Sequence, residues 1–131
     1  MFSPKSNERL AKADPRLQKM CRELEILYPD LQISCSVRGE KAQNDALKGG
    51  FSKAHFGESP HNYEPSLAVD FVFVDKGVAD WTAKRYVDLA NHIRKNYPDV
   101  TCGAFFKSFK DNPHVEISGW KMINTKKLYR G

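Results

Sequence analysis

Two stretches of the sequence carry residue types that bind metal ions. SPHNYEPSLAVDF (residues 59–71) holds His61 and Asp70 on either side of a small apolar run, and KDNPHVEI (residues 110–117) holds His114. Two imidazoles and one carboxylate form a good zinc set, and catalytic zinc sites keep a fourth position open for water. These three residues are therefore a candidate metal site formed by distant parts of the chain.

The same residues also have an ordinary structural explanation. Asp70 lies in LAVDFVFV, an apolar strand-like run, where a buried carboxylate is costly unless it is paired or bound to a metal. A backbone amide or an arginine can pair with Asp70 as well as a metal can. A histidine beside an apolar strand is often a packed core residue. The residue types alone leave both explanations open.

Two further residues have types that a zinc hydrolase needs. Asp111 precedes His114 by three residues, and Pro113 between them indicates a tight turn that can direct both side chains into one cavity. A carboxylate there can act as a general base for the attacking water. Arg38, at the end of a strand-like run, can stabilise an oxyanion. The alternatives are a turn aspartate and a surface arginine. The H-E-x-x-H, phosphate-loop and G-x-S-x-G motifs are absent.

The elements that must position these residues follow from periodicity and from turn residues. Helices are predicted at 14–28, 40–48 and 81–97, with Asp14 and Asp80 as caps of the first and last. Strands are predicted at 31–37, 67–74, 101–106 and 114–118, and a long loop at 49–66. This order predicts one α+β domain over 1–131, with a small antiparallel sheet flanked by helices.

Composition narrows the class of protein. Apolar residues make up 40% and charged residues 28% of the 131 residues, as is ordinary for a globular protein. No apolar run is long enough for a membrane helix, and the first residues contain no apolar signal region. Cys21, Cys35 and Cys102 are widely separated and are expected to be free thiols. The net charge of +5 suits a polyanionic partner, but no nucleic-acid-binding signature is present.

Three blocks together resemble a known family. SVRGEKAQ, SPHNYEPSLAVDF and SFKDNPHVEI are similar to the zinc D-Ala-D-Ala carboxypeptidase / L-alanyl-D-glutamate endopeptidase family, especially its small phage endolysins. The similarity runs from about residue 30 to residue 118. The shared pattern is S-x-H, then A-x-D, then an acidic residue three positions before a final histidine.

The resemblance implies a role for each matching residue. His61, Asp70 and His114 would bind one zinc ion per chain. Asp111 would be the general base and acid, and Arg38 would stabilise the transition state. Ser59 and Glu116 would support the metal site, and Gln43 matches a glutamine that follows the arginine block. The implied fold is that of the hedgehog domain and the DD-peptidases.

The sequence departs from the family pattern at two positions. His61 and Asp70 are nine residues apart, where the family has seven, and EPS stands where a glycine is common. CGAFF (residues 102–106) stands where many relatives have a GGDW-like stretch. These departures change the loop between two ligands and one wall of the pocket, but they leave the ligand types unchanged.

The expected function is hydrolysis of peptidoglycan stem peptides, at the L-alanyl-D-glutamate bond, by a monomeric zinc endolysin. Without a signal region, such a protein is expected in the host cytoplasm until a separate holin opens the membrane, and at the cell wall afterwards. Two alternatives remain: a D-alanyl-D-alanine carboxypeptidase, and a non-catalytic cell-wall binding module of the same fold. Neither nucleic acid nor an integral membrane segment is expected.

Overall fold

The computed structural model describes residues 1–131 and contains four α-helices and five β-strands. The helices are α1 (Pro4–Leu10), α2 (Pro15–Leu27), α3 (Glu40–Lys48) and α4 (Ala83–Asn96). The strands are β1 (Leu31–Cys35), β2 (Ala68–Asp75), β3 (Val78–Asp80), β4 (Val100–Cys102) and β5 (His114–Ile117). Single 3₁₀ turns occur at Pro60–Asn62, Gly103–Phe105 and Trp120–Met122.

The strands form one antiparallel sheet in the order β1-β2-β5-β4, with β3 paired to the second half of β2. Strand β2 is therefore central, and its side chains alternate between two environments. Val69, Phe71 and Phe73 are buried on one face, whereas Asp70 and Val72 on the other face are only partly buried. One face of the sheet packs on the core, and the opposite face is left for polar residues.

Helices α2 and α4 supply apolar side chains to one hydrophobic cluster of 24 buried residues. Leu17, Met20, Cys21 and Leu24 of α2 recur at helical spacing and are fully buried. Each fully buried side chain of this kind contributes about 1.5–3 kcal/mol of transfer free energy. The cluster holds β2 in place, and with it the backbone that carries Asp70.

The helix predictions agree with the structure, with three exceptions. Helix α2 begins after Asp14, whose side chain accepts a hydrogen bond from the backbone of Arg16, as predicted. The prediction omitted α1, which a hydrogen bond to Ser3 caps. Helix α4 begins at Ala83 rather than at residue 81. The prediction that Asp80 caps this helix is wrong: Asp80 belongs to β3, the N-cap is Thr82 without a side-chain cap hydrogen bond, and the Asp80 carboxylate accepts a hydrogen bond from Thr82 N before the helix begins.

The strand predictions missed β3, placed the end of β5 one residue too late, and made two other strands markedly too long. The strand predicted at 31–37 ends at Cys35, and the strand predicted at 101–106 ends at Cys102. In the second case a 3₁₀ turn at Gly103–Phe105 bends the chain away from the sheet. The predicted loop 49–66 is present, and it contains the short turn Pro60–Asn62. None of the helices is both long enough and apolar enough to cross a lipid bilayer.

Candidate metal centre

Two of the candidate side chains, Asp70 and His114, lie in one row across the sheet with Cys35. Asp70 on β2 is paired with Cys35 on β1 and with His114 on β5. The neighbouring pair of the same two strands joins Ile33 to Phe71, on the core side of the sheet. Strand β1 therefore carries one extra residue between Ile33 and Cys35, where β2 has none between Phe71 and Asp70. This β-bulge moves Cys35 onto the same face as Asp70. The sheet therefore brings a thiol, a carboxylate and an imidazole side by side.

His61 reaches this row from the 3₁₀ turn Pro60–Asn62. Ser59 caps the turn: its hydroxyl accepts a hydrogen bond from His61 N at 3.2 Å, and Asn62 Oδ1 accepts one from Ser59 N at 3.1 Å. The carbonyl of His61 accepts a hydrogen bond from Arg38 N at 2.7 Å. The backbone of His61 is thus fixed on both sides, which gives Ser59 a supporting role at this site.

The loop between His61 and Asp70 is held by two distant chain segments. Ser66 N donates to Lys12 O at 2.8 Å on one side of the loop. On the other side, residues 127–129 pair with residues 62–64, through Glu64 N to Lys127 O at 3.0 Å and Tyr129 N to Asn62 O at 2.8 Å. The loop is two residues longer than in the family pattern, but backbone hydrogen bonds still hold it on both sides.

Asp70 lies at the centre of the cluster. Its Oδ1 is 3.2 Å from His61 Nε2 and 2.9 Å from His114 Nδ1, and the two imidazole rings are 5.2 Å apart between centroids. Both histidines are buried, and the Asp70 side chain is 17% exposed. The structure thus brings the three predicted ligands together, in spite of the nine-residue spacing.

The second nitrogen of each imidazole has an acceptor of its own. His61 Nδ1 is 2.6 Å from the carbonyl oxygen of Ser36, and His114 Nε2 is 2.7 Å from Glu116 Oε1. A neutral histidine has one donor nitrogen and one acceptor nitrogen. When the outer nitrogens donate to these acceptors, the inner nitrogens direct lone pairs at the Asp70 carboxylate, and that arrangement requires a cation or protons between them. Metal-binding histidines characteristically donate their other N–H to a carbonyl or carboxylate. The donor set fits a divalent metal.

In the absence of a metal, protons take the place of the cation. Burial lowers the pKa of His61, but the charges of Asp70 and Cys35 and the hydrogen bonds to them together outweigh burial and raise this pKa well above 6.5. Burial likewise lowers the pKa of His114, but hydrogen bonds to Asp70 and Glu116 raise it to about 9. Burial raises the pKa of Asp70, whereas the two histidines hold it well below its usual range. A metal that binds here must displace protons from the histidines.

Asp111 lies beside this cluster, in the turn that precedes β5. His114 N donates to Asp111 O at 3.1 Å, and Asp111 N donates to Gly103 O at 3.0 Å. Its carboxylate lies within 4.8 Å of ligand atoms of Asp70 and His114. Burial and the negative charge of Asp70 raise the pKa of Asp111. A carboxyl group with a raised pKa is better suited to accept a proton and return it than one with an ordinary pKa.

Gly103, in the CGAFF stretch, is required by this arrangement. A Cβ atom at this position would overlap the Asp111 carbonyl oxygen and come within 3.1 Å of His114 Cβ. The backbone of the 3₁₀ turn Gly103–Phe105 can approach the base and the ligand only because the side chain is missing. The stretch lacks the acid of the family pattern, but it positions Asp111 by contact.

Arg38 and Gln43 form the other wall. Arg38 Nη2 is 3.7 Å from Asp70 Oδ2, and Arg38 Nη1 donates to Gln43 Oε1 at 3.2 Å. Gln43 is completely buried; its Oε1 also accepts from Asn62 Nδ2 at 3.1 Å, and its Nε2 donates twice to the segment 52–54. Gln43 therefore connects the arginine, the His61 turn and the preceding loop, a role that the sequence did not reveal.

Cys35 is the residue at the site that the sequence analysis did not select. Its Sγ is 3.7 Å from His61 Nδ1 and 3.8 Å from Arg38 Nη2. Burial raises the pKa of the thiol, but the charge of His61, its hydrogen bond and the charge of Arg38 together outweigh burial, and the pKa is lowered. Cys35, His61 and Asp70 also form a possible metal-binding group. Cys21 and Cys102 are buried, and all three cysteines are free, as expected.

A groove of about 370 Å³ adjoins the cluster. Its lining includes His114 and Glu116 of β5, Asp111 of the preceding turn, and the segment 52–54. The aromatic ring of Phe106, which also lines the groove, is 6.0 Å from the His114 ring. One candidate metal ligand, His114, and the candidate base, Asp111, therefore border a groove that can hold part of a peptide. His55 and His92, which are not candidate ligands, do not line this groove.

Comparison with known proteins supports the fold. The sequence matches no protein-family profile and none of the curated protein sequences. Among solved structures, the chain is similar to the crystal structure of the L-Ala D-Glu endopeptidase ChiX of Serratia marcescens, with a TM-score of 0.75 over 92% of each chain. Sequence identity is 24%, so this similarity is one of fold. It confirms the predicted α+β architecture.

Proposed function

We propose that this protein is a zinc-dependent peptidoglycan peptidase that hydrolyses the L-alanyl-D-glutamate bond of stem peptides. The observation that carries the proposal is the cluster of two buried histidines around Asp70, in which the outer nitrogen of each histidine lies within hydrogen-bond distance of an acceptor of its own. The fold shared with an L-Ala D-Glu endopeptidase supports this choice of substrate.

In this proposal, His61, Asp70 and His114 hold one zinc ion. Zinc at such a site supplies a Lewis acid that makes a water molecule more acidic and polarises the scissile carbonyl. Asp111 accepts the proton of the attacking water, and returns it to the leaving amine. Its raised pKa suits both tasks, because the group must bind the proton and then release it. The Arg38 guanidinium stabilises the negative charge that develops on the carbonyl oxygen.

We further propose that the protein acts as a phage endolysin. The +5 charge favours attraction to anionic envelope polymers. On this hypothesis the protein accumulates in the host cytoplasm as a monomer and reaches the wall after a holin opens the membrane. Lysis of host cells only when a holin is expressed with it would support this role.

The test combines metal analysis with a defined digest. The purified protein is analysed for zinc and is incubated with a muropeptide, whose products are identified by mass. We expect about one zinc per chain, chelator-sensitive cleavage, and a new amino terminus on D-glutamate. Asp111→Asn is expected to keep its zinc and to lose about 10²–10⁴-fold in rate. Asp45→Asn, at an exposed carboxylate of α3 that pairs with Lys41, is the control.

Each alternative has its own result. Release of terminal D-alanine alone would identify a carboxypeptidase. Binding to peptidoglycan with neither stoichiometric metal nor lysis after zinc is added back would identify a non-catalytic module. Near-full activity of zinc-loaded Asp111→Asn would exclude Asp111 as the base.

A further inference from the structure

The groove beside the metal cluster is acidic except at one position. Glu58, Asp111 and Glu116 line it with carboxylates, and Lys53 is the only lysine or arginine among its eleven lining residues. An anionic group of a ligand would therefore be repelled by most of the groove and attracted at one place. The position of Lys53 determines where that place is.

The backbone on both sides of Lys53 is fixed from the interior. Gln43 Nε2 donates to Ser52 Oγ at 3.0 Å and to Ala54 O at 2.7 Å, and Ala54 N donates to Ser52 Oγ at 3.1 Å. Gln43 is the same buried amide that accepts a hydrogen bond from Arg38. One side chain thus sets the distance between Lys53 and the candidate catalytic arginine.

The ammonium group of Lys53 is held by an aromatic ring. Lys53 Nζ lies 4.7 Å from the ring centroid of Phe109, which also lines the groove. Phe109 has a φ of 48°, a left-handed conformation that is unusual for a bulky residue and is found at functional sites. None of the ion pairs in the protein includes Lys53. A cation–π contact orients the ammonium group and leaves N–H donors free for a ligand.

The chemistry of the proposed substrate supplies a matching group. A glutamate residue has two carboxyl groups, and only one of them can continue the peptide chain. When the side-chain carboxyl continues the chain, the main-chain carboxyl remains next to the bond that joins the glutamate amine to alanine. This group can be present as a carboxylate or as an amide. A peptide with a free carboxyl terminus carries a second candidate carboxylate.

We infer that Lys53 binds a substrate carboxylate close to the scissile bond and makes the enzyme selective for the non-amidated stem peptide. This inference rests on the proposed function and extends it to substrate selectivity. Phe109 holds the ammonium group in place, and Gln43 sets its distance from Arg38. Lys53 is a specificity residue that takes no part in the proton transfers.

The experiment uses three synthetic peptides that contain L-alanyl-D-glutamate. The first has a free D-glutamate carboxylate and a free terminus, the second is amidated at D-glutamate, and the third is amidated at the terminus. The zinc-loaded parent is expected to cleave the first about tenfold better than the second, mainly through KM, because the contact is the same in the bound substrate and the transition state. If amidation of the terminus alone reduces cleavage by the same factor, the carboxylate that Lys53 contacts is the terminal one.

Two variants isolate the charge of Lys53. Lys53→Met keeps the apolar stem of the side chain and is expected to reduce the preference to less than about twofold, with kcat unchanged. Lys53→Glu is expected to reverse the preference toward the amidated peptide. Lys48→Met removes an exposed lysine of α3 that does not line the groove, and should keep the preference of the parent.

Binding measured without turnover separates this inference from the proposed function. Binding of the same peptides to Asp111→Asn is measured by calorimetric titration. If a carboxylate peptide binds more tightly than its amidated form, and adding Lys53→Met abolishes this difference, the inference is supported even when the parent cleaves nothing. Equal binding and equal cleavage of all three peptides would overturn the inference and leave the peptidase assignment intact. Failure to bind any of the peptides would overturn both.

Discussion

Removal of the Glu116 carboxylate should weaken metal binding without unfolding the protein. Glu116 accepts a hydrogen bond from His114 Nε2 at 2.7 Å and is the only side chain that bonds this nitrogen. The bond fixes the ring so that Nδ1 faces Asp70, 2.9 Å away. Without it the imidazole can rotate or bind a proton on Nδ1, and the affinity of the site for zinc falls.

The magnitude follows from the type of bond that is lost. A hydrogen bond to a charged acceptor contributes about 1.5–3 kcal/mol, and a neutral one about 0.5–1.5 kcal/mol. Glu116→Gln keeps an acceptor but loses its charge, so we expect a loss of about 1 kcal/mol, or roughly fivefold in zinc affinity. Glu116→Ala removes the acceptor altogether, and an outer-shell loss of this kind reduces affinity by about 10–100-fold.

The assay is competition for zinc between the protein and a chelator of known affinity at fixed pH. Glu58→Gln is the matched control, because Glu58 lines the same groove but accepts its hydrogen bond from the backbone of His55. We expect Glu58→Gln to bind zinc within about twofold of the parent. If folded Glu116→Ala binds zinc as tightly as the parent does, then Glu116 does not orient His114 and our assignment of the ligand nitrogen is wrong.

Three further predictions concern the thiol, the pH response and the glycine turn. Iodoacetamide should alkylate Cys35 before the two buried cysteines, because the pKa of Cys35 is lowered and its side chain is only partly buried. Mass analysis should locate the adduct on Cys35. Activity should be lost when this adduct forms and should be retained in Cys35→Ser, which resists alkylation. Metal-free protein should lose stability as the pH rises from about 6.5 to about 9. The pKa of His114 is higher in the folded state than in the unfolded state, so protonation of His114 stabilises the fold at low pH. This contribution disappears as the pH passes the folded pKa. Urea unfolding with chelator should show this decline, and excess zinc should reverse its sign, since zinc competes better as protons leave. Gly103→Ala should cost about 1–3 kcal/mol and reduce activity more than metal content, because the new Cβ must displace the backbone of Asp111; an unchanged rate would contradict the contact that we describe.

The candidate site was accessible from the sequence where residue type and local pattern agree. Asp70 stands out because it is a charge inside an apolar strand, and His114 alternates with Glu116 on one face of β5. The proximity of His61 to both depends on a loop that no periodicity describes, and the family resemblance supplied it. The 3.2 Å distance to Asp70 agrees with that prediction.

Cys35 and Gln43 were not predictable in the same way. Simple alternation along LQISCSV places Cys35 on the core side with Leu31 and Ile33, and only the bulge in β1 reverses its direction. Bulges follow from the pairing with β2 and leave no clear mark in a single sequence. The function of Gln43 depends on three partners that are distant in the chain. Tertiary contacts, rather than local propensity, determine both residues.

The pairing of residues 127–129 with residues 62–64 has a consequence for biosynthesis. In a nascent chain, His61 and Asp70 leave the ribosome long before the segment 127–129 that fixes their loop has been translated. The loop gains its last backbone partner only when Tyr129 has emerged, and His114 emerges 44 residues after Asp70. We therefore expect metal capture to wait until residues 127–129 have left the ribosome, so that chains interrupted before them lack a fully held site.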